Sequence, residues 1–462
     1  MVKRLTHKAF GRLFTTAVGV LLFASPLALR AQAPSATGLD IAVELASFDT
    51  VWARIQRTYY DSTMRGIDWP GVRDELRPRV ERATSRAEVR AAIAAMLNRL
   101  GESHFALLPR DPMADSAGQP ESRDGDVGLE VRLLDGRVLI TRVDTGGPAH
   151  LAGIRTGWSL QRIGNTDLQP LLASLDEIAR PRDRRVAMLR LTMRLQAMLA
   201  GPIGWSVALT MDDGFGHSLA RQVTRRASPG TAVQFGSLAP LDTRFEAWRL
   251  PRDRSCVGVI RFNVFMTPVS PAFDDAMNAL RSCRGIVLDL RGNVGGVAAM
   301  VMGLAGYFFD KDVTLGEVRM RGAQLKYVAN PRLVNRHGER VTPYAGPVAI
   351  LVDELSASTT EIFAGALQAL GRARLFGSPS AGQALPSLLM PLPNGDAVMY
   401  AIADYVAPGG RRLEGQGVVP DEPIPLTRAA LLQGVDAPLE AALRWLDRQG
   451  SEGNAPARGQ PH

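Results

Sequence analysis

The 462-residue chain has only two cysteines and six histidines. None of them cluster at the spacing of metal ligands, so no metal is expected, and no other cofactor is implied. No basic stripe runs through the sequence. Its arginines are scattered among acids, so nucleic acid is not an expected partner. Beyond residue 33 no apolar run is long enough to cross a bilayer. What the chain does have is 46% hydrophobic and 22% charged residues, the balance of a soluble globular protein, and a length that calls for two or three domains.

The formal charge is +8, but Lys3, Arg4, Lys8, Arg12 and Arg30 stand in the first 33 residues with no acid among them. Without those five the balance is about +3. The basic start "MVKRLTHKAFGR" leads into the apolar "LFTTAVGVLLFA", and Ala31–Gln32–Ala33 follows. This layout predicts a signal peptide over residues 1–33. Export to the periplasm or the extracellular space is the expectation, with membrane anchoring if the segment stays uncleaved. No cysteine lies near the cleavage point, which argues against lipoprotein processing. Cys256 and Cys283 each precede an apolar β-like run, "VGVIRF" and "RGIVLDL". If those runs are neighbouring parallel strands, the two sulfurs come close. Both a disulfide and two separate buried thiols fit this pattern.

Residues 38–109 read as helices, with apolar residues at three- and four-residue steps. Ser85 and Glu88 have capping-box spacing, and Gly101 is placed to end the last helix. Residues 110–125 are polar and loop-forming, a predicted linker. A β-rich region follows over 126–227, holding an Arg/Leu-rich helix at about 183–200, and residues 227–242 read as a second linker. From 240 to 446 strands and helices alternate, which predicts an α/β fold with a largely parallel sheet. A disordered tail is expected over 447–462.

Three stretches carry chemistry. Ser358 follows the apolar strand "PVAILVD" and heads the helix "TTEIFAGALQAL". A helix start offers unpaired backbone N–H groups, and sites in parallel sheets lie beyond the strands' carboxyl ends. Plain capping, Ser358 with Glu361, explains the same pattern. The second stretch, "LDLRGNVGG", runs a strand into a glycine-rich turn. Gly295 and Gly296 there would let backbone N–H groups approach a ligand, or would simply make a tight turn. The third is "LGESHFALLP", where His104 follows a helix stop beside Ser103 and Glu102. A lone histidine is more often structural than catalytic.

Taken together with "GRARLFGSPSAG" and "LEGQGVVPD", these stretches resemble the C-terminal-processing (tail-specific) serine peptidases and their relatives, which include the tricorn protease core. The resemblance implies a ClpP/crotonase-like βα core. It aligns Ser358 with the nucleophile and the N–H groups of Gly296 and Thr359 with the oxyanion hole. Tail-specific members carry a lysine base about 25 residues after the serine, but here that position is Gln383. An amide cannot serve as a base at useful pH. The tricorn-like branch uses a histidine instead, and by that likeness His104 is the base, with Ser103 and Glu414 in support. The family implies polypeptide substrates.

Residues 126–227 resemble a PDZ domain. The segment "GGPAHLAGIRTGWSLQRIGNTDL" matches bacterial examples, with Trp158 in place of the usual aspartate. By this likeness Gly128, Leu129, Glu130 and Val131 line a groove that accepts a peptide as an added strand and holds its terminal carboxylate. Strand alternation turns the Glu130 side chain away from the face of Leu129. The long stretch at about 170–200 could cover the groove. The expected function is an exported serine endopeptidase. Its rivals are a catalytically inactive peptidase-fold protein that binds peptides or hydrophobic ligands, and an adaptor that uses the PDZ-like groove alone.

Overall fold

Three helices open the described chain: Ile41–Thr58, Trp69–Glu81 and Arg86–Asn98. The structure, a computed structural model, describes residues 39–110, 124–233, 241–252 and 255–452. The predicted signal peptide, most of the first linker and the last ten residues of the predicted tail lie outside these ranges. Among the described residues no helix is long and apolar enough to cross a membrane.

Each opening helix buries one stripe. Phe48, Val51 and Ile55 face inward from the first, Val72, Leu76 and Val80 from the second, Val89, Ile93 and Met96 from the third. Ser85 caps the third helix by accepting from the Glu88 N–H, but the Glu88 carboxylate accepts from the Thr84 N–H instead of closing the box. Gly101 takes φ +63° and ends the helix as its position suggested. The segment after it is not helical. Ala106–Leu108 forms a strand that pairs antiparallel with Ala397–Ala401. Arg90 forms two 2.9 Å hydrogen bonds to Asp396. The helical arm is thereby stitched to a hairpin some 300 positions later.

The middle region holds an antiparallel sheet whose path runs Leu129–Leu134, Arg137–Val143, Ser159–Ile163, Ser206–Asp212, Ser218–Thr224. The first of these is an edge strand. The Arg/Leu-rich stretch is the helix Pro181–Leu199, beside that edge. The second linker is partly structured: Thr231–Val233 pairs antiparallel with Leu241–Thr243.

The core sheet has six strands in the order Phe245–Arg252, Ser255–Phe262, Gly285–Asp289, Val348–Val352, Ala373–Gly377, Glu422–Pro423. The first pair is antiparallel and every later pair is parallel. Both faces are covered, which is why the strands read as continuous apolar runs. Ile286, Leu288 and Ile350 pack with helices Val269–Leu280 and Thr359–Ala369 on one side. Val287, Ala349 and Leu351 meet Ala442 and Leu446 of the last helix on the other. Burying each Val, Ile or Leu among these is worth about 1.5–3 kcal/mol. The last helix is Ala437–Glu452, so residues expected as tail are helical through Glu452. Cys256, in the strand Ser255–Phe262, and Cys283, in the turn just before the neighbouring parallel strand Gly285–Asp289, are joined by a disulfide, one of the two arrangements the sequence left open.

Candidate active site

Two neighbouring parallel strands deliver the centre of the site. Gly285–Asp289 and Val348–Val352 pair with Asp289 opposite Leu351, so the turns that follow them leave the same edge of the sheet. Asn293, fully buried, ties the turns together. Its carbonyl accepts from the Ala357 N–H at 3.0 Å and its side-chain oxygen from the Thr360 hydroxyl at 2.8 Å. Asp353 accepts from the Gly292 N–H at 2.8 Å.

Ser358 stands at the helix start with φ +57° and ψ −121°, not the extended backbone of an ordinary N-cap. A non-glycine residue there is strained by roughly 1–3 kcal/mol. Its N–H is held by the Gln383 carbonyl at 2.8 Å and the Glu361 carboxylate at 3.0 Å. Glu361 is fully buried and also accepts from the Ser380 hydroxyl and the N–H groups of Gly382 and Gln383. Burial pushes its pKa up to about 7, against the pull of those four donors.

The glycine turn presses against the serine. A Cβ on Gly295 would lie 2.6 Å from the Ser358 Cβ. One on Gly296, at φ +133°, would lie 2.3 Å from the Phe265 carbonyl oxygen. The Thr359 hydroxyl donates to the Gly296 carbonyl at 2.8 Å. Among the described residues no acceptor takes the backbone N–H of Gly296 or of Thr359. The structure thus brings two free donors close to Ser358.

His104 arrives from the helical arm. Its Nε2 lies 3.1 Å from Ser358 Oγ, across 254 positions of sequence. Its Nδ1 lies 2.7 Å from Ser103 Oγ, an adjacent-residue contact reached by turning His104 to φ +60°. Ser103 Oγ donates to Glu414 Oε2 at 2.7 Å, and the Ser103 N–H donates to Oε1 at 2.9 Å. The proton positions follow from the chemistry. A carboxylate only accepts, so the one hydroxyl proton of Ser103 points at Glu414. Ser103 Oγ must then accept from Nδ1–H, which leaves Nε2 bare and facing Ser358 Oγ. Desolvation lowers the His104 pKa to about 4, so the ring is neutral at pH 7.

Some residues of the site were missed in the sequence. Glu102, whose side chain has no exposure, accepts from Tyr59, Tyr60, Arg65 and Arg412 at 2.5–2.7 Å. Burial opposes its charge, but hydrogen bonds from Tyr59, Tyr60 and Arg412 win and its pKa falls below the ordinary range. This cluster anchors the turn that presents Ser103 and His104. Arg412, Asn293 and Asp353 likewise act across long separations that no local motif signals. Gln383 serves the site through its backbone, and no lysine occupies its place.

The predicted groove residues are arranged differently from Ser358, His104, Ser103 and Glu414. Leu129 and Val131 are buried in the middle-region core. Gln196, from the helix Pro181–Leu199, donates to the Leu129 carbonyl at 3.1 Å. The Gly128 N–H is taken by Asp126 at 2.7 Å. Glu130 turns away, as strand alternation suggested, and meets Arg261 of the core sheet at 2.7 Å. Among the described residues no cluster of three or more His, Cys, Asp or Glu could hold a metal.

Comparison with known proteins matches residues 256–424 to Peptidase family S41 and residues 45–98 to the tricorn protease C1 domain. The chain is 28% identical over 419 residues to carboxyl-terminal-processing peptidase 2, chloroplastic, of Arabidopsis thaliana, covering 88% of this chain and 74% of that one. It is 26% identical over 402 residues to a carboxyl-terminal-processing protease of Synechocystis, covering 86% and 85%. The photosystem II D1 C-terminal processing protease has a similar fold, with TM-score 0.54 and 24% identity over 87% of this chain and 97% of that one. Mature CPAF gives 0.55 and 14% over 90% and 99%. The first match spans Ser358 and the core sheet except its first strand, and the second lies in the arm that leads to His104. Over residues 256–424 the chain matches Peptidase family S41, and over more than four fifths of its length it is similar to carboxyl-terminal-processing peptidases, a likeness that marks it as a serine peptidase.

Proposed function

We propose that the chain is an exported endopeptidase in which Ser358 is the nucleophile and His104 the general base. The 3.1 Å contact between His104 Nε2 and Ser358 Oγ carries this reading. Nε2 takes the hydroxyl proton as Ser358 Oγ attacks a peptide carbonyl carbon, and a tetrahedral oxyanion forms. The N–H groups of Gly296 and Thr359 receive it. The imidazolium then protonates the leaving amine, and the acyl-enzyme is released by water through the same steps. Ser103 passes the influence of Glu414 to Nδ1, fixing the tautomer and stabilising the imidazolium.

Polypeptides are the substrates, and similarity to carboxyl-terminal-processing peptidases favours cleavage near C-termini. The middle region would act as a PDZ-like module, adding a peptide strand at the Leu129–Leu134 edge, with Gln196 displaced from the Leu129 carbonyl. The basic and apolar N-terminal segment supports export to the periplasm or beyond.

The test is hydrolysis of an unfolded polypeptide together with labelling by a fluorophosphonate. Ser358→Ala is expected to lose about 10⁴- to 10⁶-fold in rate and all labelling. Hydrolysis that survives unchanged in Ser358→Ala would reject the assignment. A wild type that binds peptides yet neither cleaves nor labels would favour the inactive binding protein.

A further inference from the structure

We propose that Glu361 is a positioning residue: it clamps the segment Ser380–Ala384 to the backbone of Ser358, and its charge state thereby governs how well Ser358 and His104 are aligned. The inference rests on the function proposed above and adds a regulation of that site.

The segment holds the place where tail-specific relatives carry a lysine, and here it works through its backbone. The Gln383 carbonyl accepts from the Ser358 N–H at 2.8 Å. The next two N–H groups then part company. That of Gln383 donates to Glu361 Oε2 at 2.8 Å, and that of Ala384 to Glu414 Oε2 at 3.0 Å. Glu414 Oε2 is also the oxygen that takes the Ser103 hydroxyl. Consecutive amides thus tie the nucleophile's side of the site to the relay behind the base. The Ala381 N–H donates to the Ser356 carbonyl at 3.0 Å, and the Gly415 N–H to the Gly382 carbonyl at 2.9 Å, which hold the rest of the segment in place.

Glu361 is the keystone of this bracket. Its side chain is fully buried, and each oxygen takes two donors. Oε1 accepts from the Ser380 hydroxyl at 2.5 Å and the Gly382 N–H at 2.7 Å. Oε2 accepts from the Gln383 N–H and, at 3.0 Å, from the Ser358 N–H. Three of the four donors are backbone groups that cannot rotate away. The ionisable groups on the segments around it are His104, Glu414, Arg185 and Arg411. The two arginines are engaged by the carbonyls of Gly415 and Gly417, and among the described residues no cation pairs with Glu361. Its charge is therefore held by dipoles alone.

Ser358 needs that support. Its backbone sits at φ +57°, a strained conformation that persists only while its surroundings over-determine it. Hydrogen bonds to a charged acceptor are roughly twice as strong as those to a neutral one. Protonating Glu361 weakens the hold on the Ser358 N–H and on the bracket together, and lets Oγ drift from Nε2. Glu361 titrates near 7, whereas His104 titrates near 4 and is neutral throughout that range. The acid limb of the rate profile then belongs to Glu361.

The test is hydrolysis of an amidated fluorogenic peptide without ionisable side chains from pH 5 to 9, with fluorophosphonate labelling of Ser358 over the same range. In wild type kcat is expected to rise about ten-fold through a midpoint near pH 7 while KM stays nearly constant. E361Q turns an amide N–H₂ towards N–H donors. It should lose about 10- to 100-fold in kcat at pH 8.5, with KM near wild type and no limb near 7. S380A removes one donor to the charged form, so the midpoint should move up to about 8. A residue that only filled space would lower the rate at every pH and move no midpoint. Where E361Q fails to fold, S380A decides. A wild-type midpoint near 4, or one near 7 that S380A leaves in place, would overturn the role while leaving the Ser358 assignment intact. Absence of both cleavage and labelling at every pH would instead reject the proposed function, and the positioning role with it.

Discussion

The core sheet and the helical arm each bring one member of the Ser358–His104 pair to the site, and they do it by different physics. The core places Ser358 with backbone. Parallel strands in fixed register launch two turns from one edge, and the serine is pinned through its own N–H on the Gln383 carbonyl and through the preceding Ala357 N–H on the Asn293 carbonyl. The arm places His104 with side chains. A short strand pairing, the Arg90–Asp396 bonds and the Glu102 cluster hold it, and the Ser103–Glu414 pair orients the ring. Backbone placement resists single substitutions unless a glycine is lost. Side-chain placement can be undone one group at a time.

The comparison can be broken most severely at the core's weak point. Gly296→Ala forces a Cβ against the Phe265 carbonyl and displaces a proposed oxyanion donor. It is expected to cost about 10²- to 10³-fold in kcat, with little change in KM, by steady-state hydrolysis of a peptide. Next in size, Arg412→Gln removes one partner of the buried Glu102 and loosens the turn before His104. A fall of roughly 10- to 100-fold in kcat is expected, with the slower labelling of Ser358 that a misplaced base would cause. A change in KM alone would argue that the cluster does not position the base. Cys256→Ser should lower unfolding stability by about 2–4 kcal/mol in denaturant titrations, because the disulfide closes a loop within the core, while activity per folded molecule stays near wild type.

The smallest expected change is in protonation. The folded pKa of His104 is near 4 and the ordinary imidazole value is about 6.5. Between those values the unfolded chain binds more protons, so this group makes stability fall as pH drops from about 6.5 to 4 and adds no penalty above that window. NMR of the ring should therefore find it neutral at pH 5.5. A titration centred on 6.5 would mean that the ring is solvated in solution.

The same contrast explains what could be read in the sequence. The apolar runs "GIVLDL" and "PVAILVD", the glycines after the first and the hydroxyls after the second are local signals, and the sheet uses them locally. His104, Ser103 and Glu414 became legible only through resemblance, because their meeting depends on contacts more than 250 positions apart. Glu102 was visible only as a flank of "LGESH". Its partners Tyr59, Tyr60 and Arg412 sit in unrelated stretches, and polar networks leave no periodicity. The strand at Ala106–Leu108 was missed for a related reason: three residues pair only because a distant hairpin offers an edge. Ser358 with Glu361 looked like a capping box. The structure has that capping box, with the Glu361 carboxylate on the Ser358 N–H, and also presents the serine hydroxyl to His104.

The central claim is that the base comes from the arm and not from the position where tail-specific relatives carry a lysine. The rate of fluorophosphonate labelling at Ser358, measured in wild type, His104→Ala and Gln383→Ala at pH 7.5, tests it directly. The account predicts labelling in wild type and, within about threefold, in Gln383→Ala, whose backbone contacts persist, and near-complete loss in His104→Ala. Labelling of His104→Ala at the wild-type rate, with loss in Gln383→Ala, would contradict it.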